Sequence, residues 1–332
     1  MGHNLEIRNG EVSMMYVGEV PWHGLGTKLE TPATAAEAIQ AAKLDWEVMK
    51  VPLHATDGKR QLEAKGKYAV VRKDLWGTEE CRVLGVVGKQ YNPLQNREAF
   101  TFFDPIVGEN AAIYHTAGVL GAGERIWILA KLPGNVTVIN DDVTDRYLLL
   151  SNSHDGTSAV QVKFTPVRVV CQNTLTMALN QGPTVRVAHV KNLRERLREA
   201  ERLLGIVTRG FEEIESSFRE MVRVQMNEDR VAQYLRSVFP DPRDPGNERA
   251  MMRARKNRLW AEHFFDQGKG NREDGVVGTL WAAYNGVTEY VDHRQIRQAD
   301  DRRLNSVWFG SGYLAKARAY RAARVGIAEW LN

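Results

Sequence analysis

The chain has 332 residues, of which 43% are hydrophobic and 26% charged, with a formal net charge of +4 and a pI near 9.0. These values describe an ordinary folded protein of about two domains at roughly 100–200 residues each. They exclude a disulfide scaffold, since only Cys81 and Cys171 occur, and a membrane span, since no apolar run approaches the roughly 20 residues that a bilayer requires.

The first 30 residues read as irregular, with Pro21-Trp22-His23-Gly24-Leu25-Gly26 their most distinctive piece, and no signal pattern opens the chain, so the cytoplasm is the expected location. Thr34-Ala35-Ala36-Glu37 is a capping box and predicts a helix running to about Leu44. Trp46 to Val51, Lys67 to Arg72 and Arg82 to Val87 read as strands, the last two joined by a turn at Gly77. Asn92-Pro93 predicts the start of a second helix carrying Leu94, Phe100, Phe102 and Phe103. Ile113 to Leu120 and Arg125 to Leu132 form a hairpin around Gly121-Ala122-Gly123, followed by a short strand, Asn135 to Ile139, and an acidic loop, Asp141 to Asp145.

The stretch from Arg146 to Gly182 reads as strand, tight turn, strand, helix. Asp155-Gly156 is a turn signal. Beyond it Val160, Val162 and Phe164 alternate with Gln161, Lys163 and Thr165, so one face is apolar and the other polar and cationic. After Pro166 and the run Val167 to Cys171, Asn173 is placed to cap a helix from Thr174 to Asn180. From Leu193 apolar residues recur at spacings of four and three (Leu197, Leu204, Phe211, Ile214, Phe218, Met221), predicting a long helix over about 190–226 that packs within a bundle or against another subunit. Asn227 to Phe239 and the basic stretch Asn247 to Phe265 are further helices, separated by a proline-rich break. Gln267 to Gly275 reads as a mobile polar loop, Val276 to His293 as a helix with Trp281 and Tyr284 inward, and Tyr313 to Leu331 as the closing helix. The result is an α+β class: an antiparallel sheet with hairpins and packed helices over 1–182, then a helical region over 183–332.

Catalytic constellations are absent from this reading. Gly121-x-Gly123 lies between strands, where a dinucleotide fingerprint needs a following helix. Asp141, Asp142 and Asp145 have the chemistry for a hard cation but read as a solvated turn, Cys171 reads as a core thiol, and His23 lacks further ligands nearby, so no metal or cofactor is expected. The better lead is basic. Arg125, Lys131, Arg146, Lys163 and Arg168 fall on strands that also hold Trp127, Tyr147 and Phe164, and Arg253, Arg255, Lys256 and Arg258 fall on one helix. Cations for phosphates beside aromatics for bases are what a single-strand binder requires.

Several segments carry a resemblance: Pro21 to Gly26, Tyr91-Asn92-Pro93-Leu94-Gln95-Asn96, Thr165 to Leu175, Val287 to His293, and Ser306-Val307-Trp308-Phe309-Gly310-Ser311-Gly312. Together they resemble the phage/plasmid-like proteins, a family named only as a domain of unknown function. The resemblance implies a mobile-element protein acting in a bacterial cytoplasm and transfers no catalytic residue. The order hairpin, hairpin, helix from Ile113 to Asn180 is also similar to the layout of phage annealing proteins of the Red-beta superfamily, an analogy of fold alone. The expected function is therefore nucleic-acid binding, in single-strand annealing or in replication or recombination, with homo-oligomers formed through the helical region. The alternative is a protein-binding inhibitor of a host defence system.

Overall fold

The structure is a computed structural model and describes residues 5–18, 24–101, 112–158, 161–168, 173–174, 185–186, 193–295 and 303–331, with the backbone alone at some helix and strand positions among them. Its architecture is α+β, with sheets that are antiparallel apart from one parallel pair, Met14–Val17 with Thr27–Leu29, in the first half and helices in the second.

Local chemistry sets the N-terminal elements. Strands β1 (Ile7–Arg8) and β2 (Glu11–Val12) form a short antiparallel pair. Helix α1 (Ala35–Ala41) begins at Thr34, whose side chain accepts from the Glu37 amide while Glu37 reaches back to the Thr34 amide, the reciprocal capping box. Strands β5 (Val48–Thr56), β6 (Gln61–Arg72) and β7 (Val83–Gly88) form a three-stranded antiparallel sheet in the order β5-β6-β7. The helix expected at Asn92-Pro93 starts later. Residues 96–101 are helical (α2), the Ala99 amide bonds back to the Gln95 carbonyl, and Glu98 accepts from the Gln95 amide. Pro93 therefore lies before the helix; Phe102 and Phe103 fall outside the described residues.

The large sheet is built on two long strands, β9 (Arg125–Ile139) and β10 (Asp142–Ser153), paired along their length. Strand β8 (Ile113–Leu120) joins β9 through the glycine turn, and β3 (Met14–Val17) and β4 (Thr27–Leu29) extend that side. On the other side β10 takes both β11 (Gln161–Phe164) and β12 (Val167–Arg168).

Three expectations change here. The segment from Asn135 to Ile139 continues β9 instead of forming a separate strand. The acidic run is no loop: only Asn140 and Asp141 turn, with Asn140 at a φ of 46°, and Asp142 opens β10. Asn173–Thr174 is a strand, β13, paired with Val167–Arg168, so Asn173 caps no helix at Thr174; backbone pairing to β12 replaces the local cap. That strand also departs from the annealing-protein layout. The pairing of β10 with β11 is antiparallel as expected, with Leu150 opposite Val162. Val162 is buried; Val160 lies outside the described residues.

Alternation along β9 divides the core. Ile126, Ile128, Ala130 and Leu132 face the main core with Leu148 and Leu150 of β10, whereas Trp127 and Leu129 face a smaller core with Tyr147, Leu149, Val307 and Trp308. Helix α3 (Leu193–Arg223) covers the main face and runs unbroken through Gly205 and Gly210. Phe211, Ile214, Phe218 and Met221 are buried there, so this part of the seam closes an intramolecular core; the Leu197 and Leu204 side chains lie outside the described ones. Helices α4 (Glu228–Val238) and α5 (Glu248–Gln267) start at Asn227 and Asn247, each accepting from the amide three residues on.

Helix α6 (Leu280–Glu289) sits at the centre, buried from Leu280 to Thr288, and continues as a π-helical turn, Tyr290–Arg294. Gly286 lets α5 approach, since a Cβ there would lie 2.6 Å from the Phe265 amide nitrogen and 2.8 Å from the Ala261 carbonyl oxygen. The loop before α6, expected to be mobile, is pinned by the buried Asn271, which donates to the carbonyls of Phe264 and Ala282. A short helix, α7 (Arg303–Trp308), and α8 (Ser311–Trp330) close the chain.

Phe218 is fully buried, with its ring 4.5 Å from Trp281 and 6.0 Å from Tyr284 between centroids. We expect Phe218→Ala to lower the free energy of unfolding by about 3–5 kcal/mol in a denaturant titration. A loss below about 1 kcal/mol would mean that the helix does not close the core.

Candidate polyanion-binding face

The cations expected to bind phosphate divide by what already engages them. On the sheet, Lys131 lies 2.7 Å from the Asp145 carboxylate and above the Tyr147 ring. Arg146 faces α3, 3.5 Å from Glu215 and over the Phe211 ring at 5.3 Å. Arg125 stacks on Phe309 at 4.6 Å, and burial lowers its pKa while nearby Asp155 opposes that shift. Arg125 and Lys131 share the face of Trp127 and Leu129, and Arg146 points to the opposite one. The sheet thus assembles no single cationic surface from these three. Lys163 and Arg168 are described by backbone alone, opposite Leu149 and Thr144 of β10.

Helix α5 is different. From Arg249 to Ala261 the sequence contains no acid. Arg249, Arg253, Arg255 and Lys256 are exposed, and none makes an ion pair among the described residues. Arg249, Arg253 and Lys256 follow helical spacing along one stripe, with the exposed Met252 and Leu259 beside them. Arg258 turns away to hold the fold, donating to the Phe239 carbonyl and to Asp241. Beside the stripe, Arg294 from the π-helical turn lies 4.4 Å above the half-buried Trp260 ring. The helix is anchored by the buried Ala254 and Ala261 and by Trp260, Phe264 and Phe265, which pack against the core.

The acidic residues do not converge. Asp142 is buried and accepts from the Trp281 indole at 2.7 Å, Asp145 pairs with Lys131, and Asp141 is exposed in the turn. No group of three or more potential metal ligands forms among the described residues. Cys81 is a free thiol; Cys171, Trp22 and His23 lie outside the described residues.

Two buried polar clusters escape a reading of the sequence. Lys316, with no exposure, donates to Asp292 at 2.7 Å, and burial lowers its pKa while Asp292 pulls it back. Its one signal is a lysine on the small-residue stripe of α8, alongside Gly312, Ala319 and Ala323. The second cluster joins the two sheets. Arg72 stacks on Trp46 and pairs with Glu6 and Asp74, and His154 packs against the same Trp46 ring, 5.4 Å between centroids. Asn96 donates to the carbonyls of Leu44 and Trp46, so its oxygen is the acceptor for His154 Nε2–H at 2.9 Å, while His154 Nδ1 has no partner among the described residues. Nothing in residue spacing announces this cluster, because its members are distant in the chain.

DUF932, described only as a domain of unknown function, matches residues 83–308, and the chain belongs to that family. No curated protein and no solved structure matches the chain.

Burial lowers the His154 pKa from the usual 6.5 to about 4, with Asp155 opposing the shift and Arg72 adding to it. Between those values the unfolded chain binds a proton that the folded protein refuses. Stability is therefore complete above the unfolded pKa and declines as pH falls through this window, by roughly 3 kcal/mol for a full shift. We expect His154→Gln to flatten the decline in unfolding free energy measured between about pH 7 and pH 4; an unchanged slope would place the titration elsewhere.

Proposed function

We propose that this DUF932 protein binds nucleic acid through the outer stripe of α5. The reading rests on one observation: the Arg249, Arg253, Arg255 and Lys256 side chains are exposed and without an ion pair among the described residues, whereas Arg125, Lys131 and Arg146 of the large sheet are engaged inside the fold. Free cations along a helix suit phosphates, whose neutralisation releases counterions and gives affinity without base readout. In this reading the protein is phage- or plasmid-encoded and handles single strands, as an annealing or a replication and recombination factor. Lys163 and Arg168, on the edge side of β10, are the sheet positions that would add to it.

A second reading has its own support. Met252 and Leu259 are 63% and 66% exposed within the same stripe, and apolar side chains among cations also suit a protein partner. An inhibitor of a host defence protein would use the face in that way.

Titration of labelled single- and double-stranded oligonucleotides over a range of salt separates the two readings. We expect salt-sensitive binding, with Arg253→Ala and Lys256→Ala each weakening all sequences alike and reducing the salt slope by about 1 for each phosphate no longer neutralised. Absence of salt-sensitive binding to DNA or RNA at low ionic strength would defeat the nucleic-acid reading and leave the protein-partner one.

A further inference from the structure

Helix α5 carries more along its outer stripe than charge. Residues spaced by four and three share one side of a helix, and from Arg249 that side continues through Arg253 and Lys256 to Trp260 and His263. None of these positions is acidic: Glu248 and Glu262 fall off the stripe, and Asp266 lies beyond it. The exposed His263 ring meets the half-buried Trp260 ring edge-on, 5.6 Å between centroids. Arg294 lies over the same indole, its guanidinium 4.4 Å from the ring centroid. It is exposed and has no ion pair among the described residues. Its place is set by the π-helical turn, Tyr290–Arg294, which the Tyr290 hydroxyl ties to α5 by donating to Asn257 Oδ1 at 2.7 Å. Such turns are rare and recur at functional sites.

Cations thus lead along one side of α5 to an aromatic end, the pairing that the sheet does not supply. Resting on the nucleic-acid reading above, we infer that the Arg294–Trp260 stack is a base-stacking subsite for an unpaired strand, whose phosphates lie along Arg249, Arg253 and Lys256. A guanidinium plane takes a nucleobase as an aromatic ring does. One side of the Arg294 guanidinium rests on Trp260, and the exposed side receives the base, with His263 at the margin. From Arg249 to His263 the stripe runs about 21 Å, the reach of a few nucleotides. A duplex keeps its bases stacked inside and offers this end only phosphate, so the subsite favours unpaired nucleotides. Stacking tolerates any base, since every base has a π-face, and the preference is for bases over bare backbone, not for one sequence. Because stacking neutralises no phosphate, it leaves the salt dependence to the three cations.

Fluorescence anisotropy with two labelled probes of equal length tests the inference: a mixed-sequence single strand, and an abasic strand that keeps every phosphate and lacks the bases. The full chain should bind the ordinary strand about tenfold more tightly than the abasic one at the same salt. Arg294→Lys keeps the charge and removes the plane. It should bring the ordinary strand down to the abasic affinity with the salt slope unchanged. Trp260→Leu should do the same, with folding checked by near-ultraviolet circular dichroism; should it fold poorly, Arg294→Lys decides. Arg253→Ala should weaken both probes alike and keep the ratio between them. Salt-sensitive binding with equal affinity for the two probes overturns the stacking subsite and leaves the nucleic-acid reading standing. A base preference that survives Arg294→Lys overturns it too, and assigns the Arg294–Trp260 pair to the fold. Binding of neither probe at low ionic strength defeats the nucleic-acid reading, and the subsite with it.

Discussion

Burial of α6 on every side is the constraint on which the structure depends. A surface helix needs one apolar stripe, but a helix buried from Leu280 to Thr288 must be enclosed all round. Helices α3, α5 and α8 pack around it, and the large sheet reaches it through the Asp142 carboxylate on the Trp281 indole. Two of its polar side chains bond within the helix: the Asn285 amide nitrogen donates to the Trp281 carbonyl and the Thr288 hydroxyl to the Asn285 carbonyl. The demand for enclosure links the two halves of the chain. A core that includes Ile128 and Val136 from the sheet also includes Phe218, Trp281 and Tyr320 from the helices.

That arrangement explains which parts of the fold can be read from residue order. Features decided within four or five residues are legible: the Thr34 capping box, the glycine turn between β8 and β9, and the asparagine caps of α4 and α5. Features decided by a partner far along the chain are not. Asp142 sits in an acidic run that reads as solvated, and its indole partner is 139 residues away. Asn173 has the chemistry of a helix cap, but β12 offers its backbone a ladder instead, and long-range pairing overrides local preference. Gln267 to Gly275 has the composition of a mobile loop, yet one buried side chain, Asn271, bridges α5 and α6 and pins it.

The same logic governs the candidate site. Residue order shows where cations are, and strand alternation shows which of them can share a face, but the acids that neutralise them are set by tertiary contact. Asp145 finds Lys131 across the β9–β10 pair, and Glu215 comes to Arg146 from α3. The aromatics expected for base stacking are used likewise: Trp127 is fully buried and lies edge-on to Trp308, and Tyr147 is buried beneath Lys131. Of the cations the sequence singles out, Arg253, Arg255 and Lys256 of α5 are exposed and without an ion pair among the described residues, and there the signal in the sequence is strong because it is negative: thirteen residues from Arg249 to Ala261 pass without an acid.

The way α5 is held gives that coincidence its meaning. A helix can commit its flanking stems to the interface, as Lys and Arg methylenes commonly do. Here the contact is made by Ala254, Ala261, Phe264, Phe265 and the backbone that Gly286 admits, with Trp260 at its margin, and the exposed Arg249, Arg253 and Lys256 lie outside it. Four like charges within about two helical turns repel one another and are weakly unfavourable for the isolated helix. Arg249, Arg253, Arg255 and Lys256 thus sit where the fold neither uses nor neutralises them among the described residues. An electrostatic cost that the fold does not recover is recovered when an anion lies along the stripe.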